Sequence, residues 1–253
     1  MAVTAIIQAR MGATRLPGKI VLRILQKTVL EYVVERVNKA EKIQNVVIAT
    51  TVKNDDLKIV HLASGLGVGV YCGSEEDVLD RYYQAARLFK AKHIARITAD
   101  CPLIDHQVID AVVKRYFESG ADYCSNTLQP SFPDGLDVEV FNFEALHKAW
   151  ENAQLLSERE HVTPYLTKNS NKFNLVNYKN REDLSDKRWT LDEERDYRFI
   201  KEILGGLYDK NPDFNMTDIL DFLRKNKAVE DINKNIGRNE GYQKSLTNDK
   251  SFK

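Results

Sequence analysis

The chain has 253 residues, 43% hydrophobic and 29% charged, which is enough apolar material for a full core without disulfide or metal support. Lys plus Arg and Asp plus Glu balance at 37 each, and zero net charge argues against a general nucleic-acid binder, which needs a basic face for phosphates. Cys72, Cys101 and Cys124 form no CxxC pair or zinc spacing, no apolar run approaches the ~18 residues of a membrane span, and the N-terminus lacks signal-peptide flanks, so the expectation is a soluble cytoplasmic protein with reduced thiols.

Val3–Gln8 reads as a buried strand followed by a polar loop bearing Gly and Pro. Leu30, Val33, Val34 and Val37 share one helical face. Residues 46–50 predict a second strand, Asn54 caps a helix carrying Leu57, Val60 and Leu62, and residues 68–71 predict a third strand. Ser74 and Asp77 resemble a capping box ahead of a helix over residues 78–90. His93–Thr98 predicts a fourth strand that runs into Ala99-Asp100-Cys101-Pro102, where the proline stops it. Asp105 then caps a helix carrying Ile109, Val112, Val113 and Tyr116. Repeated β–α units up to about residue 120 imply a parallel sheet covered by helices on both faces.

Beyond that point the pattern is mixed. Residues 121–125, 136–141, 173–178 and 188–191 are strand-like, with helical stretches over 143–153 and 158–168 between them. Helices over 194–204 and 217–224 follow, and the chain after about Lys227 is polar. One domain over 1–225 is expected, with a nucleotide-binding half (1–120), an acceptor and dimer half (121–192) and a polar tail over 226–253.

A strand feeding a glycine-bearing loop is a common phosphate site, because backbone N–H groups point at the anion there. The P-loop pattern fails: five residues separate Gly12 from Gly18, and Ile20 stands where a Ser or Thr is required. The dinucleotide fingerprint is absent after the first strand. What the loop offers is Arg10, Arg15 and Lys19 around Gly12 and Gly18, a cationic set matched to the roughly four charges of a triphosphate. Asp100 ends one strand-like run and Asp192 another, at the edge where open α/β sheets bind ligands; Asp192 would equally serve as a helix cap. Asp137 and Glu139 fall on one face of a predicted strand and could meet hydroxyls, an amine or a metal. Arg159 and His161 could meet an acidic acceptor or belong to an interface.

The segment from Ile7 to Lys19, with Gln8-Ala9-Arg10-Met11-Gly12-Ala13-Thr14-Arg15-Leu16-Pro17-Gly18, resembles the signature loop of the sugar-acid cytidylyltransferases. It is similar to the branch called spore coat polysaccharide biosynthesis protein F and to CMP-Kdo synthetase. The resemblance continues through Arg96-Ile97-Thr98-Ala99-Asp100-Cys101-Pro102, Gly135-Leu136-Asp137-Val138-Glu139, Glu158-Arg159-Glu160-His161 and Leu191-Asp192. It implies a Rossmann-like (GT-A type) nucleotide-diphospho-sugar transferase fold, mostly parallel, with a mixed acceptor and dimerisation region. It implies CMP transfer from CTP, with another nucleoside triphosphate as the alternative donor, to a small acidic sugar or a phosphorylated or acidic metabolite with release of pyrophosphate, for polysaccharide or glycoconjugate precursors, in a homodimer. By the same likeness Mg²⁺ is held by Asp100 and Asp192, and Arg10, Lys19 and Asp100 act in catalysis. Gln8, Ala9, Gly12, Thr14, Arg15, Thr51, Gly73 and Ser74 join these around the nucleotide, Ser74 being equally readable as a plain cap. A metal-dependent glycosyltransferase on the same fold is the rival, but it usually needs Asp-x-Asp, and Thr98-Ala99-Asp100 supplies one Asp.

Overall fold

A computed structural model describes residues 2–238, 240–247 and 249–252. In chain order the first half comprises β1 (Val3–Gln8), a hairpin of β2 (Arg23–Ile24) and β3 (Lys27–Thr28), α1 (Val29–Asn38), β4 (Ile43–Thr51), α2 (Leu57–Gly65), β5 (Gly69–Gly73), α3 (Val78–Leu88), β6 (His93–Thr98) and α4 (His106–Ser119). The second half comprises β7 (Tyr123–Ser125), β8 (Glu139–Asn142), α5 (Phe143–Asn152), α6 (Leu156–His161), α7 (Pro164–Lys168), β9 (Leu175–Asn177), α8 (Glu194–Leu207), α9 (Met216–Lys225), α10 (Lys227–Glu230) and α11 (Glu240–Thr247).

The main sheet has the order β5-β4-β1-β6-β8-β7-β9. β5, β4, β1 and β6 pair in parallel, and β8 runs antiparallel to both β6 and β7. The expected mostly parallel sheet with a mixed second half is therefore the observed one. β1 is buried on both sides, as a central parallel strand must be. Val3, Ala5 and Ile7 face one core, with α1, α4 and α8, while Ile6 faces a second core with α3 and α5. α4 starts as expected, Asp105 accepting from the backbone N–H of Gln107 and Val108.

Several boundaries differ for local reasons. Residues 188–191 form no strand: Arg188 makes a single bridge to Asp134. Residues 136–138 run as an irregular approach to β8, which begins at Glu139. The helix expected over 158–168 breaks into α6 and α7, because Val162 adopts φ 71° and Pro164 starts a new helix. Asp77, not Ser74, caps α3. Asn54 lies in a 3₁₀ turn, and α2 begins after Asp56. The polar tail is not a free tail among the described residues: α11 packs against α6 and beside the cavity described next.

Candidate active site

β1 and β6 lie in parallel register with Gln8 opposite Thr98, so the segments that leave them emerge side by side at the carboxyl edge of the sheet. The loop after β1 is shaped by its own backbone. Met11 O accepts from Ala13 N at 2.9 Å and from Gly18 N at 3.1 Å, and Asp56 Oδ1 receives Met11 N at 2.7 Å. Gly18 sits at φ 69°, a left-handed conformation that glycine adopts without steric cost. That turn delivers Lys19 inward, 8% exposed, while Arg10, Thr14 and Arg15 stay exposed along the loop.

Lys19 is the centre of the site. Its Nζ lies 2.6 Å from Asp100 Oδ2, 2.6 Å from Asp192 Oδ1 and 2.7 Å from the Leu191 carbonyl. Burial pulls the ammonium's pKa down, but Asp100 and Asp192 outweigh it and raise the pKa. Burial likewise pushes the Asp100 carboxyl up, and Lys19 reverses this and holds it low. Asp192 is not a helix cap: Glu193 caps α8, with Asp196 completing the box. The Asp192 carboxylate instead receives Arg15 Nη2 at 2.9 Å and Arg188 Nη2 at 3.3 Å. The two carboxylates expected to share a metal therefore converge on one point, where an ammonium now sits.

These groups line a cavity of about 710 Å³. Gln8, Ala9, Arg10, Thr14, Arg15 and Lys19 of β1 and its loop line it, as do Asp137, Glu139 and His161. Gly12, Thr51, Gly73, Ser74 and Arg159 do not line it. Thr51 donates its hydroxyl to Asp56, and the Ser74 hydroxyl accepts from Asp77 N at 3.0 Å. Arg159 Nε donates to both Asp77 oxygens at 3.0 Å, a buried tie between α6 and the start of α3. Arg159, one of the expected acceptor contacts, is thus held by Asp77 outside the cavity lining. Asp137 pairs with Arg238 Nη2 at 2.5 Å, and burial raises its pKa in spite of that partner.

The cavity also contains residues that the motifs did not single out. Arg96 on β6 stands directly opposite Glu139 on β8, and Nη1 and Oε1 lie 3.2 Å apart. Arg96 Nε, Glu139 Oε2, Gln8 Oε1 and Arg81 Nε are all buried without a hydrogen-bond partner among the described residues, and all four residues line the cavity. Buried polar atoms are rarely left unpaired, so this concentration marks a surface built to bind polar groups. The sequence signals for Arg96 are a charge in the middle of the strand His-Ile-Ala-Arg-Ile-Thr and its place at the head of a segment that resembles the family. Arg188 anchors the opposite wall, with Nε and Nη2 at 2.9 and 3.0 Å from the two Asp196 oxygens. Asp134, behind it, is pushed up to about 7, first by burial and then by neighbouring Asp137. Gly135 makes this wall possible. A Cβ there would lie 2.6 Å from the Trp189 carbonyl carbon, and its φ is 112°.

The donor set fits a hard divalent cation in one specific way. Among the described residues no group of three or more His, Cys, Asp or Glu side chains could hold a metal alone. Two convergent carboxylates completed by phosphate oxygens match the usual mode of Mg²⁺. No helix among the described residues is long and apolar enough to cross a membrane.

Comparison with known proteins agrees with this geometry. The sequence model of the family described as Cytidylyltransferase matches residues 4–233. An uncharacterised protein of Methanocaldococcus jannaschii is 39% identical over 248 residues, covering 96% of this chain and 98% of its own length. The spore coat polysaccharide biosynthesis protein SpsF of Bacillus subtilis is 34% identical over 233 residues, covering 87% of this chain and 93% of its own length. A solved cytidylyltransferase from Leptospira borgpetersenii superposes with TM-score 0.87 at 35% identity, covering 93% of this chain and 98% of that one. With a family model that matches residues 4–233 and a fold that superposes on a solved cytidylyltransferase at 35% identity, the chain belongs to the cytidylyltransferase family.

Proposed function

We propose that this protein transfers CMP from CTP to a small hydroxylated acid, a sugar acid or a phosphorylated acid, with release of pyrophosphate. The observation that carries the reading is the convergence of Lys19 on Asp100 and Asp192 at the end of a cavity whose loop supplies Arg10 and Arg15. The loop would bind the triphosphate, its backbone N–H groups and cations offsetting the charge that grows on departing pyrophosphate. Lys19 neutralises Asp100 and Asp192 in the free protein and would stabilise the leaving group when the triphosphate arrives. Asp100 and Asp192 would hold Mg²⁺, which supplies charge neutralisation of the phosphates. At the other end, Arg96 Nε suits an anionic group and Glu139 Oε2 a hydroxyl or amine donor on the acceptor. That pairing is why an acid bearing hydroxyls fits better than a neutral sugar. The homodimer implied by the resemblance belongs to the same reading and is checked by sedimentation.

The test is pyrophosphate release by the full chain with Mg²⁺, each of the four nucleoside triphosphates and a panel of sugar acids. Acid-dependent pyrophosphate from CTP alone supports the reading. Sugar transfer from a nucleotide sugar, without pyrophosphate, overturns it.

A further inference from the structure

The family's sequence match ends at residue 233, yet the chain beyond it reaches the cavity. The segment is pinned at both ends. At its start, Arg188 Nη1 donates to Gly237 O at 3.0 Å, and Arg238 Nη1 donates to Phe132 O at 3.0 Å while its Nη2 holds Asp137. At its end, Asp249 accepts from Ser157 N at 3.0 Å and Ser157 Oγ at 2.6 Å, and Phe252 N donates to Gln154 O at 2.6 Å. Leu155 and Ser251 form an antiparallel bridge between the same two stretches.

Between these anchors lies α11. Ser245 Oγ donates to Glu160 Oε2 at 2.8 Å and meets His161 Nε2 at 3.0 Å. The Tyr242 ring meets His161 edge-on at 4.9 Å. Gly241 and Tyr242 complete the lining of the cavity, beside Glu160 and His161. This is the end remote in sequence from the phosphate loop, bordered by Asp137 and α6. Among the described residues a Cβ at Gly241 would meet nothing within 4 Å, so there is room for a side chain at this cavity-lining position.

We propose that Arg238 and residues 240–247 and 249–252 form a strap that walls the acceptor end of the cavity, and that Gly241 and Tyr242 set the size of the acid admitted. The inference rests on the cytidylyl-transfer reading above. The strap's start is tied through Arg188 to Asp192, but Gly241 and Tyr242 meet the cavity beside Glu160 and His161, so substitutions at these two positions change acceptor selection without changing CTP binding. Gly241→Leu fills acceptor space and Tyr242→Ala opens it, so the two variants shift selectivity in opposite directions.

The experiment uses the full chain, CTP, Mg²⁺ and a series of 2-keto sugar acids of increasing chain length, with CTP affinity measured separately by calorimetry. Gly241→Leu should raise KM for the longest accepted acid about tenfold, the scale of discrimination one misfitting apolar group gives. Tyr242→Ala should move the preference towards longer acids, and both variants should keep the wild-type Kd for CTP. Unchanged acceptor preference in both variants overturns the proposal, as does a parallel loss of CTP affinity, which marks a merely structural role. A wild-type protein that binds CTP but acts on none of the acids overturns the acceptor reading instead. CTP affinity then carries the test of the strap, and a weaker Kd in either variant overturns it.

Discussion

Replacing Lys19 by Met keeps the length and apolar stem of the side chain and removes only its charge and three donors. The loss is concentrated, because one Nζ serves Asp100, Asp192 and the Leu191 carbonyl at 2.6–2.7 Å. Removing one partner of a buried ion pair costs about 3–5 kcal/mol, since a charge is left without compensation. Here the two carboxylates keep 26% and 24% of their side-chain surface in contact with solvent, which places the expected loss near the lower bound, about 3 kcal/mol. For a chain of this size that is a fall in Tm of roughly 6–12 °C. The remaining strain is repulsion between Asp100 and Asp192, so Lys19→Met with Asp192→Asn should regain about 1 kcal/mol or more relative to additivity. For the same reason Mg²⁺ should raise the Tm of Lys19→Met more than that of the wild type, because the cation binds carboxylates that the ammonium has vacated. The assay is thermal and urea unfolding of the four proteins of the cycle, with and without Mg²⁺. Strict additivity, or a Lys19→Met protein as stable as the wild type, would refute the claim that Lys19 holds the two carboxylates together.

Other outcomes follow from the same structure. Arg96→Met leaves the Glu139 carboxylate facing the cavity alone and should raise acceptor KM by one to two orders of magnitude with little change in KM for CTP; steady-state kinetics check it, and equal effects on both substrates would contradict it. Gly135→Ala should destabilise by about 1–3 kcal/mol from backbone strain alone, before the clash with Trp189 is counted, and urea titration reads it. Asp134 has a folded pKa of about 7 against an ordinary value of 3.8, so the folded state binds its proton more tightly than the unfolded state does; its contribution is present at low pH and is lost as pH rises through that window. Asp134→Asn should therefore flatten the fall in stability between about pH 4 and 7, as seen in melting curves at stepped pH. His161 works in the opposite sense. Burial lowers its pKa to about 4, so stability is lost as pH falls below 6.5, and His161→Asn should remove that loss.

Much of the nucleotide end was legible in the sequence. An apolar run ending at Gln8, glycines and three cations are local signals, and Asp100 lies at the end of an equally plain strand. The part of the cavity around Asp137 and Glu139 was less legible, because its geometry is tertiary. Alternation over residues 136–141 looked like one strand, but the close approach of Gly135 to Trp189 keeps its first residues out of the sheet. Asp134 and Arg188 acquire their meaning from that contact, across 54 residues of chain. Arg159 read as an acceptor contact or an interface residue because nothing in its neighbourhood shows that Asp77, 82 residues earlier, takes it. The tail read only as polar because its few apolar groups, such as Tyr242 and Phe252, dock singly onto α6 and its surroundings and give no periodic face.

The fate of the α-phosphorus of CTP tests the central claim most directly. With Mg²⁺, a sugar acid and CTP labelled at that atom, the account predicts label in a CMP–acid conjugate, pyrophosphate in equal amount, and neither with Asp100→Asn. Label that stays in CTP, or a conjugate formed undiminished by Asp100→Asn, would contradict it.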